Sequence, residues 1–582
     1  MAQLGCPAGL AAFKSLREEG FNTVAFERRE SVGGLWAYSS NPDYTSALDD
    51  TMANISKFVS GFSDFPIPKE YPPYLCRGQV NEYFEAYAAH FELHKHIRFG
   101  TSVKRVLRNP SEDKWDVYIT SKDGDKTLSF DRIVFGNGGD SKPVWPPMPG
   151  RAKFKGKVLH SQAYRSPKDN ELEGKRVMVV GIGNTGCEIA LSLRKHASKS
   201  YLACRRGRFV ISRYRNDGIP TDSQVPWPIT RLRHLLDYMV PWLTAPLVDK
   251  LVMNMMINNA ARQEPVSSTI TKKDRLKTAE QRIRGQWRLV PCPSMAHKHP
   301  AAQEDFFPAL YSQEILPVQG FVEFAGENTV LLADGSTVEV DAVIFATGYK
   351  LDFTIMPELE MNGAAGAPLK TAVDADQDSE IRGRKEPNLP RLFQMIFPPK
   401  WASSIAFLSW MAPQENFWCV SELASMAVAQ AWAADVAQSQ DQTAPIRYRP
   451  ASLLPSVEEM NTQVDSYHAW WRKQWSTDNS MLQGYVRGYS FYRFLHDMAG
   501  TALYEHLNHP FAREGWWLWW NDYELWRCLA RGPLNSFSWR LFETNPQHIP
   551  GHGRKAWPGA REAVEDAYRT LEEFKAKKGK GE

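Results

Sequence analysis

The sequence predicts an α/β fold with two Rossmann-like dinucleotide-binding domains, followed by a mostly helical C-terminal region rich in tryptophan. Three observations lead to this prediction. Two glycine-containing loops are each followed by a helical pattern and then by a short apolar strand. The second loop, Gly181–Gly186, has the form G-x-G-x-x-G, which is typical of a strand-to-helix turn that binds a pyrophosphate. Five of the 20 tryptophans lie between residues 516 and 526.

The first unit is a loop, a helix and a strand near the N-terminus. A helical pattern covers Leu10–Leu16, and the strand Thr23–Glu27 ends in an acid that can accept hydrogen bonds from a ribose hydroxyl. Leu4 and Cys6 stand where the loop motif has glycine. Because only Met1–Gln3 precede the loop, we expect the first strand to be truncated. The residues predicted to approach the pyrophosphate are Gly5, Cys6, Pro7, Ala8 and Gly9.

The second unit follows the pattern more closely. The buried-type strand Lys175–Val180 precedes the glycine loop, and the next strand, Tyr201–Cys204, leads directly into Arg205 and Arg206. A NAD-specific fold has an acid there, whereas a guanidinium can bind the 2′-phosphate of NADP. The sequence therefore predicts NADPH over NADH. The loop residues predicted to contact the nucleotide are Gly181, Gly183, Asn184, Thr185, Gly186, Cys187 and Glu188.

The bulk composition excludes several classes of protein. A net charge of +4, from 70 basic and 66 acidic residues, gives no case for nucleic-acid binding. The seven cysteines are scattered and include no C-x-x-C pair, which indicates a reducing compartment and argues against a disulfide framework or a metal site. No apolar run reaches the ~18 residues of a membrane-spanning helix, and no signal peptide is visible. A cytoplasmic protein is expected.

Two apolar regions leave their roles open. Leu235–Val248 and Leu251–Ile257 suit ordinary helix packing, an access channel or shallow contact with a membrane surface. The tryptophan cluster is more typical of core or interdomain packing than of a patch that faces a membrane or a ligand. The oligomeric state, including a homodimer, is also left open.

The stretch before the second glycine loop has the form F-x-G-x-x-x-H-x-x-x-Y. Its defining residues, here called the fingerprint residues, are Phe154, Gly156, His160 and Tyr164. Together with the loop that follows, the stretch resembles the fingerprint of flavin-containing monooxygenases of the dimethylaniline type. The segment from Glu27 to Trp36 is also similar to the E-x-x-x-x-x-G-G-x-W of these enzymes. The resemblance covers nearly the whole chain.

The resemblance implies an FAD domain into which an NADP domain is inserted. The segment Ala346–Gly348 resembles the strand by which such proteins return to the first domain. The predicted ranges are 1–165 for the first part of the FAD domain, 166–330 for the NADP domain, 331–440 for the returning part and 441–582 for the C-terminal region. The implied FAD contacts, besides Glu27 and the first loop, are Gly33, Gly34, Leu35, Trp36, Asn54, Ile55, Thr347 and Gly348.

The resemblance also implies a reaction and its residues. NADPH reduces FAD, the reduced flavin captures molecular oxygen as a C4a-hydroperoxide, and an amine or sulfide substrate attacks the distal oxygen. Asn54 is the implied catalytic residue, through a hydrogen bond to the flavin or the nicotinamide, because an amide can donate and accept without titrating. His160 and Tyr164 are expected to connect the domains.

Two alternatives remain at this point. A Baeyer–Villiger or N-hydroxylating monooxygenase of one metabolite has a similar fingerprint, and only tyrosine at position 164, in place of tryptophan, separates the Baeyer–Villiger pattern from this one. An alternative of another class is a catalytically inactive relative that binds NADP(H) but has an impaired FAD site. Leu4 and Cys6 motivate that alternative.

Overall fold

The computed structural model describes residues 2–4, 7–109, 113–364, 366–381, 386–439, 454–508, 511–533 and 535–579. The described chain contains two five-stranded parallel sheets, several smaller sheets with helices between the strands, and a set of C-terminal helices. This confirms the predicted α/β class with two Rossmann-like domains.

The first part of the chain supplies most of the first sheet and a small antiparallel sheet. Its strands and helices are β1 (Ala2–Leu4), α1 (Pro7–Glu18), β2 (Ala25–Phe26), α2 (Arg77–His90), β3 (Ile97–Arg98), β4 (Ser102–Asn109), β5 (Lys114–Ser121), β6 (Gly124–Phe130), β7 (Ile133–Gly136), β8 (Lys142–Pro143) and β9 (Lys157–His160).

The middle part supplies the rest of the second sheet and five helices that follow its first strand, β10. Its elements are β10 (Arg176–Val180), α3 (Asn184–Leu193), β11 (Lys199–Cys204), β12 (Val210–Ile211), α4 (Trp227–Met239), α5 (Pro241–Ala261), α6 (Lys272–Arg284), β13 (Ala301–Ala302), α7 (Phe306–Tyr311), β14 (Leu316–Gln319), β15 (Phe321–Phe324), β16 (Thr329–Leu332), β17 (Thr337–Glu339), β18 (Ala342–Phe345) and β19 (Tyr349–Lys350).

The last part returns to the first sheet and then becomes helical. Its elements are β20 (Glu360–Met361), β21 (Lys370–Thr371), α8 (Ala372–Ile381), β22 (Ile405–Phe407), α9 (Phe417–Ser439), α10 (Val457–Thr477), α11 (Gly488–Ala499), α12 (Leu503–Leu507), α13 (Arg513–Asn521), α14 (Tyr523–Arg531) and α15 (Ala560–Gly579). The predicted helical C-terminal region is thus found in its described residues.

The first sheet has the order β22-β7-β1-β2-β3. β1 has three residues, lies at the centre of this sheet and pairs in parallel with both β2 and β7. Three residues suffice because each neighbour supplies a ladder of backbone hydrogen bonds, and α1 packs on the strand. The first domain therefore has its central strand.

The second sheet has the order β14-β11-β10-β18-β9. Its strands lie between those of the first sheet along the chain, so the second domain is inserted in the first. β18, the strand that leads into Ala346–Gly348, pairs with β10 and β9. The prediction that this strand returns to the first domain is therefore wrong. The second sheet runs from Lys157 to Phe345, wider than the predicted 166–330. The returning strand is β22, which pairs with β7.

The C-terminal helices share a core with the first domain. α9 packs against both α1 and α11, and its buried residues belong to the same apolar cluster as those of β7 and β22. The second domain has its own core, built on β10, α3 and α5. In the described part of the chain, no helix combines the length and the apolar character needed to cross a bilayer.

Candidate functional site

The first glycine loop leads into α1. Pro7, Ala8 and Gly9 form the first turn of this helix and are buried. Gly5 and Cys6 lie outside the described residues. The first turn of a helix carries backbone N–H groups without intrahelical acceptors, which suits a phosphate.

Glu27 directly follows β2 and is 2% exposed. Its Oε1 accepts a hydrogen bond from the backbone N–H of Arg29 at 2.9 Å. Burial raises the pKa of this carboxyl to about 7. A buried carboxylate at the end of the second strand can accept a hydrogen bond from a ribose hydroxyl, which is the role predicted for it.

The glycine pair after Glu27 allows a close approach between this loop and α2. Gly33 has φ 100° and Gly34 has φ 58°, both in the left-handed region. A Cβ at Gly33 would lie 2.3 Å from Oδ1 of Asn81. That Oδ1 is buried and has no hydrogen-bond partner among the described residues. An unpartnered buried acceptor beside the loop fits a bound group that donates a hydrogen bond, such as FAD.

Leu35 and Trp36 continue from the glycine pair in a short 3₁₀ turn, Gly34–Trp36. The Trp36 ring packs edge to face on Trp418, with centroids 6.2 Å apart. Trp418 lies in α9, which follows the returning strand β22. The loop predicted to contact FAD is therefore packed against the returning part of the first domain.

Asn54 lies at the boundary between the two domains and is exposed. Its Oδ1 accepts a hydrogen bond from Nη2 of Arg213 at 2.8 Å. Arg213 belongs to the second domain, two residues beyond β12, and is 4% exposed. Ile55, the next predicted contact, is half-buried.

A second contact joins the same segment to the second glycine loop. Oγ1 of Thr51 donates to Oε2 of Glu188 at 3.1 Å, and Nε2 of Gln303 donates to Oε1 of that carboxylate at 3.4 Å. Burial raises the pKa of Glu188. Glu188 lies in α3, so the helix predicted to bind the second nucleotide is tied directly to the segment that carries Asn54. The Glu188 side chain thus serves the domain interface.

The second loop has the geometry that a pyrophosphate needs. Gly181 has φ 121°, and a Cβ there would lie 2.4 Å from the carbonyl oxygen of Ala346. A Cβ at Gly186 would lie 2.1 Å from the carbonyl oxygen of Gly181. At Gly183, by contrast, no atom of the described residues lies within 4 Å of the position of a Cβ. Two glycines therefore permit tight backbone packing, and the middle one leaves space for a ligand.

The residues after the loop divide between ligand-facing and structural roles. Asn184 and Thr185 begin α3, and Oδ1 of Asn184 accepts from the Ala302 amide at 3.1 Å. Thr185 is exposed. Cys187 is fully buried in the second core, and its N–H donates to the carbonyl of Gly183 at 3.0 Å. Cys187 therefore does not offer its thiol or its amide to a nucleotide, contrary to the prediction.

Arg205 and Arg206 follow β11 directly and are exposed. The side chain of Arg205 lies beside Gly320, where a Cβ would approach its Cγ to 2.6 Å. Arg206 forms an ion pair with Asp478, which follows α10 in the C-terminal region. Burial raises the pKa of Asp478, but the hydrogen bonds from Arg206 and Ser480 outweigh it and lower this pKa to about 2. The predicted 2′-phosphate ligand Arg206 is thus already bound to a carboxylate.

The fingerprint residues are structural. The Phe154 ring packs on Phe324, with centroids 4.6 Å apart, and a Cβ at Gly156 would collide with that Phe154 ring. Tyr164 is fully buried in the second core, and its hydroxyl lies 2.9 Å from Oγ of Ser192.

His160 is buried between Trp145 and Tyr349, whose rings lie 5.3 and 5.2 Å from the imidazole. Its Nδ1 accepts a hydrogen bond from the Gln162 amide at 3.1 Å. Burial lowers the pKa of His160 to about 4, so the imidazole is neutral near pH 7. His160 therefore packs beside β19, which contains Tyr349, and beside the residues that follow β8.

The connection expected of the fingerprint is made by the residue that follows it. The guanidinium of Arg165 donates to the carbonyl oxygens of Ser39, Asn41 and Tyr44 at 2.5, 2.6 and 2.7 Å. These acceptors lie in the loop after the Gly33–Trp36 segment, so Arg165 fixes a first-domain loop to the second domain. No local pattern in the sequence marks Arg165 for this role.

Thr347 and Gly348 follow β18 at the carboxyl edge of the second sheet. Oγ1 of Thr347 donates to the carbonyl of Val144 at 2.6 Å, and the Val144 amide donates to the carbonyl of Gly348 at 3.0 Å. The segment is therefore hydrogen-bonded to the residue that follows β8, beside the antiparallel pair of β8 and β19. Its predicted contact with FAD stays a prediction.

A family model described as flavin-binding monooxygenase-like matches residues 2–363. Monooxygenase aurF of Gibberella zeae is 30% identical over 559 residues, which is 96% of this chain and 94% of that protein. The N-oxide-forming dimethylaniline monooxygenase 2 of Oryctolagus cuniculus is 29% identical over 78% of this chain and 74% of that protein.

Among solved structures, cyclohexanone monooxygenase from Rhodococcus sp. Phi1 bound to NADP⁺ has a TM-score of 0.57 and 19% identity. The match covers 86% of this chain and 96% of that chain. At this identity the likeness concerns the fold.

Proposed function

This chain belongs to the flavin-binding monooxygenase-like family, and we propose that it is an NADPH- and O₂-dependent enzyme that oxygenates a soft nitrogen or sulfur nucleophile. FAD and NADPH are the cofactors of this family fold. Bound FAD supplies the redox chemistry, since it accepts a hydride from NADPH and activates dioxygen. The chain binds and orients the two cofactors and positions the substrate.

The placement of Asn54 supports this proposal most directly. The segment from Thr51 to Asn54 belongs to the first domain, yet Glu188 and Arg213 of the second domain hold both of its ends. A residue in that position can contact a flavin bound by the first domain and a nicotinamide bound by the second. Its amide does not titrate, so its hydrogen bonding does not change with pH.

The cofactor sites support the proposal from either side. Glu27 can accept a hydrogen bond from a ribose hydroxyl of FAD. Oδ1 of Asn81, for which the described part of the chain supplies no partner, is a buried acceptor beside the Gly33 turn. The open space at Gly183 and the exposed Arg205 suit the pyrophosphate and the 2′-phosphate of NADPH. Leu4 and Cys6 motivate the alternative of an inactive relative, so the flavin content of the purified chain decides between the two.

Carbon–carbon oxygen insertion and N-hydroxylation of one metabolite are the competing reactions. Tyr164 was the residue that separated the first of these from the proposed reaction. Since its ring is buried in the second core and its hydroxyl meets Ser192, we infer that tyrosine serves packing at this position. The substrate class must therefore be decided by products.

The test is turnover of the purified full chain. We expect absorbance near 450 nm, on the order of one flavin per chain, and NADPH oxidation that an amine or a thioether accelerates with formation of the N-oxide or sulfoxide. Hydrogen peroxide is quantified separately. A lactone or ester from a ketone, without sulfoxidation, would favour the competing reaction. A colourless protein that still binds NADPH would support the inactive relative.

Asn54→Asp is the informative variant in the same assay. The carboxylate can still accept from Arg213 but removes the amide donors, so we expect oxygenation to fall by about 10²-fold. Asn258→Asp changes an exposed asparagine on α5 in the same way and serves as the matched control. Equal product yields in both variants would remove Asn54 from the mechanism.

We also propose that one face of the protein contacts a membrane surface. Met239, Trp242, Trp517 and Trp520 are 65, 75, 61 and 79% exposed, so packing does not account for this part of the tryptophan cluster. Met239 lies on α4, Trp242 on α5, and Trp517 and Trp520 on α13. α13 packs on α14, which in turn packs on α4. Exposed tryptophans beside aliphatic side chains suit the interfacial region of a bilayer.

Cosedimentation with phosphatidylcholine–phosphatidylserine vesicles tests this contact. We expect binding that is lost in the Trp517→Gln, Trp520→Gln double variant. Self-association of the wild type without lipid, abolished by the same variant, would assign the face to a second copy of the chain.

A further inference from the structure

Arg213 is a buried cation that extends from the second domain into the first. Besides its bond to Asn54, its Nε donates to the carbonyl of Ala53 at 2.9 Å and its Nη2 donates to the carbonyl of Met52 at 3.1 Å. Three consecutive residues of the first domain are therefore held by one side chain. The residue is 4% exposed, so water does not compete for these contacts.

The position of Arg213 is itself fixed by Glu304. One carboxylate oxygen accepts from the backbone N–H of Arg213 at 2.6 Å, and the other accepts from Nη1 at 2.7 Å. The carbonyl of Arg213 accepts from the hydroxyl of the buried Tyr74 at 2.6 Å. Its backbone and its guanidinium are thus both restrained, which leaves little freedom for another rotamer.

This arrangement determines which side of the Asn54 amide is available to a ligand. A guanidinium has five N–H donors and no acceptor, so only the carbonyl oxygen of the amide can face it favourably. The Nδ2 group must then point away from Arg213. Because Asn54 is exposed at the domain boundary, Nδ2 with its two N–H donors is the part that a bound cofactor meets.

We propose that Arg213 is a positioning residue that locks the amide of Asn54, so that this side chain offers hydrogen-bond donors and no acceptor to the cofactor cleft. The inference rests on the proposed function, which assigns Asn54 to that cleft. Donors suit the side of the cleft where partial negative charge develops on oxygen, whereas a carbonyl oxygen turned into the cleft would repel that charge. When the Asn54 amide is no longer held in this orientation, we expect the activated oxygen to be released as hydrogen peroxide instead of being transferred to the substrate.

Two substitutions of Arg213 that are similar in size should affect the orientation of the Asn54 amide differently. Arg213→Lys keeps a buried group that only donates, so the oxygen of Asn54 still faces it. Arg213→Gln places an amide there that can donate or accept, so the Asn54 amide is free to turn over. Arg215→Gln, two residues along and paired with Asp217 at the surface, is the matched control.

The experiment measures the share of consumed NADPH that appears as hydrogen peroxide, beside flavin content. We expect Arg213→Gln to raise this share about fivefold or more and Arg213→Lys to raise it about twofold or less, with the control unchanged. Asn54→Asp should give the same share as Arg213→Gln, and the double variant should add nothing further. An unchanged share in Arg213→Gln, or full additivity, would overturn the proposal.

A readout independent of turnover separates this proposal from the proposed function. Hydrogen exchange of a peptide covering residues 49–57, followed by mass spectrometry, should be faster in Arg213→Gln than in Arg213→Lys. If the wild type binds no flavin, the proposed function fails, and exchange alone then decides the positioning role. Equal exchange in the wild type and in Arg213→Gln would refute it.

Discussion

The guanidinium of Arg206 donates two hydrogen bonds to the carboxylate of Asp478, at 2.8 and 3.3 Å. The pair joins the end of β11 in the second domain to the residue after α10 in the C-terminal region. Arg206 is also one of the two arginines predicted to bind the 2′-phosphate of NADPH. A phosphate bound by Arg206 would compete with the carboxylate of Asp478 for one cation, which predicts that the C-terminal region influences nucleotide binding.

Replacing Asp478 with asparagine should strengthen NADPH binding. The variant removes the competing charge, while its amide oxygen can still accept from the Ser480 amide, as Asp478 does at 3.0 Å. We expect the Kd for NADPH to fall about three- to tenfold and the Kd for NADH to stay unchanged. Both constants are measured by fluorescence titration. Weaker NADPH binding in Asp478→Asn would mean that the carboxylate orients Arg206 for the phosphate and does not compete with it.

Two glycines of the second loop should respond differently to alanine. Gly183→Ala meets open space, so the fold should be unaffected while a methyl group enters the place of the pyrophosphate. Gly186→Ala brings a Cβ to 2.1 Å from a backbone oxygen. We expect the first to weaken NADPH binding about tenfold or more with the Tm nearly unchanged, and the second to lower the Tm by about 4 °C or more.

Thermal unfolding and NADPH titration of both variants provide the comparison. A lower Tm in Gly183→Ala than in Gly186→Ala would contradict the assignment of the middle glycine to the ligand.

The second nucleotide unit was largely predictable because its pattern is local. The strand before the loop, the loop itself and the following helix are adjacent in sequence, so β10 lies within the predicted strand Lys175–Val180 and the loop leads into a helix, α3. Partners were not predictable in the same way. β18 is a fully buried apolar strand that could belong to either sheet. Its own residues do not indicate that it pairs with β9 and β10.

The site shows the same limit. Asn54 was found through a resemblance, whereas Arg213 lies 159 residues away along the chain and no local pattern links the two. Asp478 is 272 residues from Arg206. The exposed tryptophans of α13 were expected to pack, because sequence gives the amphipathic pattern of a helix but not the element that covers it.

FAD binding should depend on pH through Glu27. Burial raises the pKa of this carboxyl to about 7 without the cofactor, whereas a ribose hydroxyl that donates to the carboxylate favours its ionised form and lowers that pKa. Binding then releases a proton below pH 7. The affinity for FAD should therefore fall as pH falls through about 7, by up to tenfold per pH unit, and be constant above it.

Titration of FAD-free protein with FAD at pH 5.5 to 8.5, followed by flavin fluorescence, measures this dependence. Glu27→Gln cannot ionise and should bind FAD with a much smaller pH dependence. A wild-type affinity that is flat across the range, or one that rises at acid pH, would show that Glu27 does not meet the ribose as a carboxylate.

Of the arginines in the fingerprint region, Arg165 should be the most sensitive to replacement by lysine. Its guanidinium spans the carbonyls of Ser39, Asn41 and Tyr44 and also donates to those of Gln162 and Tyr164. An ammonium has its donors on one atom and cannot reach these acceptors together. Two buried and three partly buried carbonyl oxygens would compete for fewer donors, so we expect the free energy of unfolding to fall by about 2–4 kcal/mol.

Urea unfolding of the flavin-loaded protein measures this change. Arg151→Lys is the matched control, because the Arg151 side chain donates to one carbonyl, that of Phe154 at 2.9 Å, and its loss should cost about 1 kcal/mol or less. Since the loop held by Arg165 follows the Gly33–Trp36 turn, its release should also weaken FAD binding. Equal losses of stability in the two variants would mean that the domains are held together without Arg165.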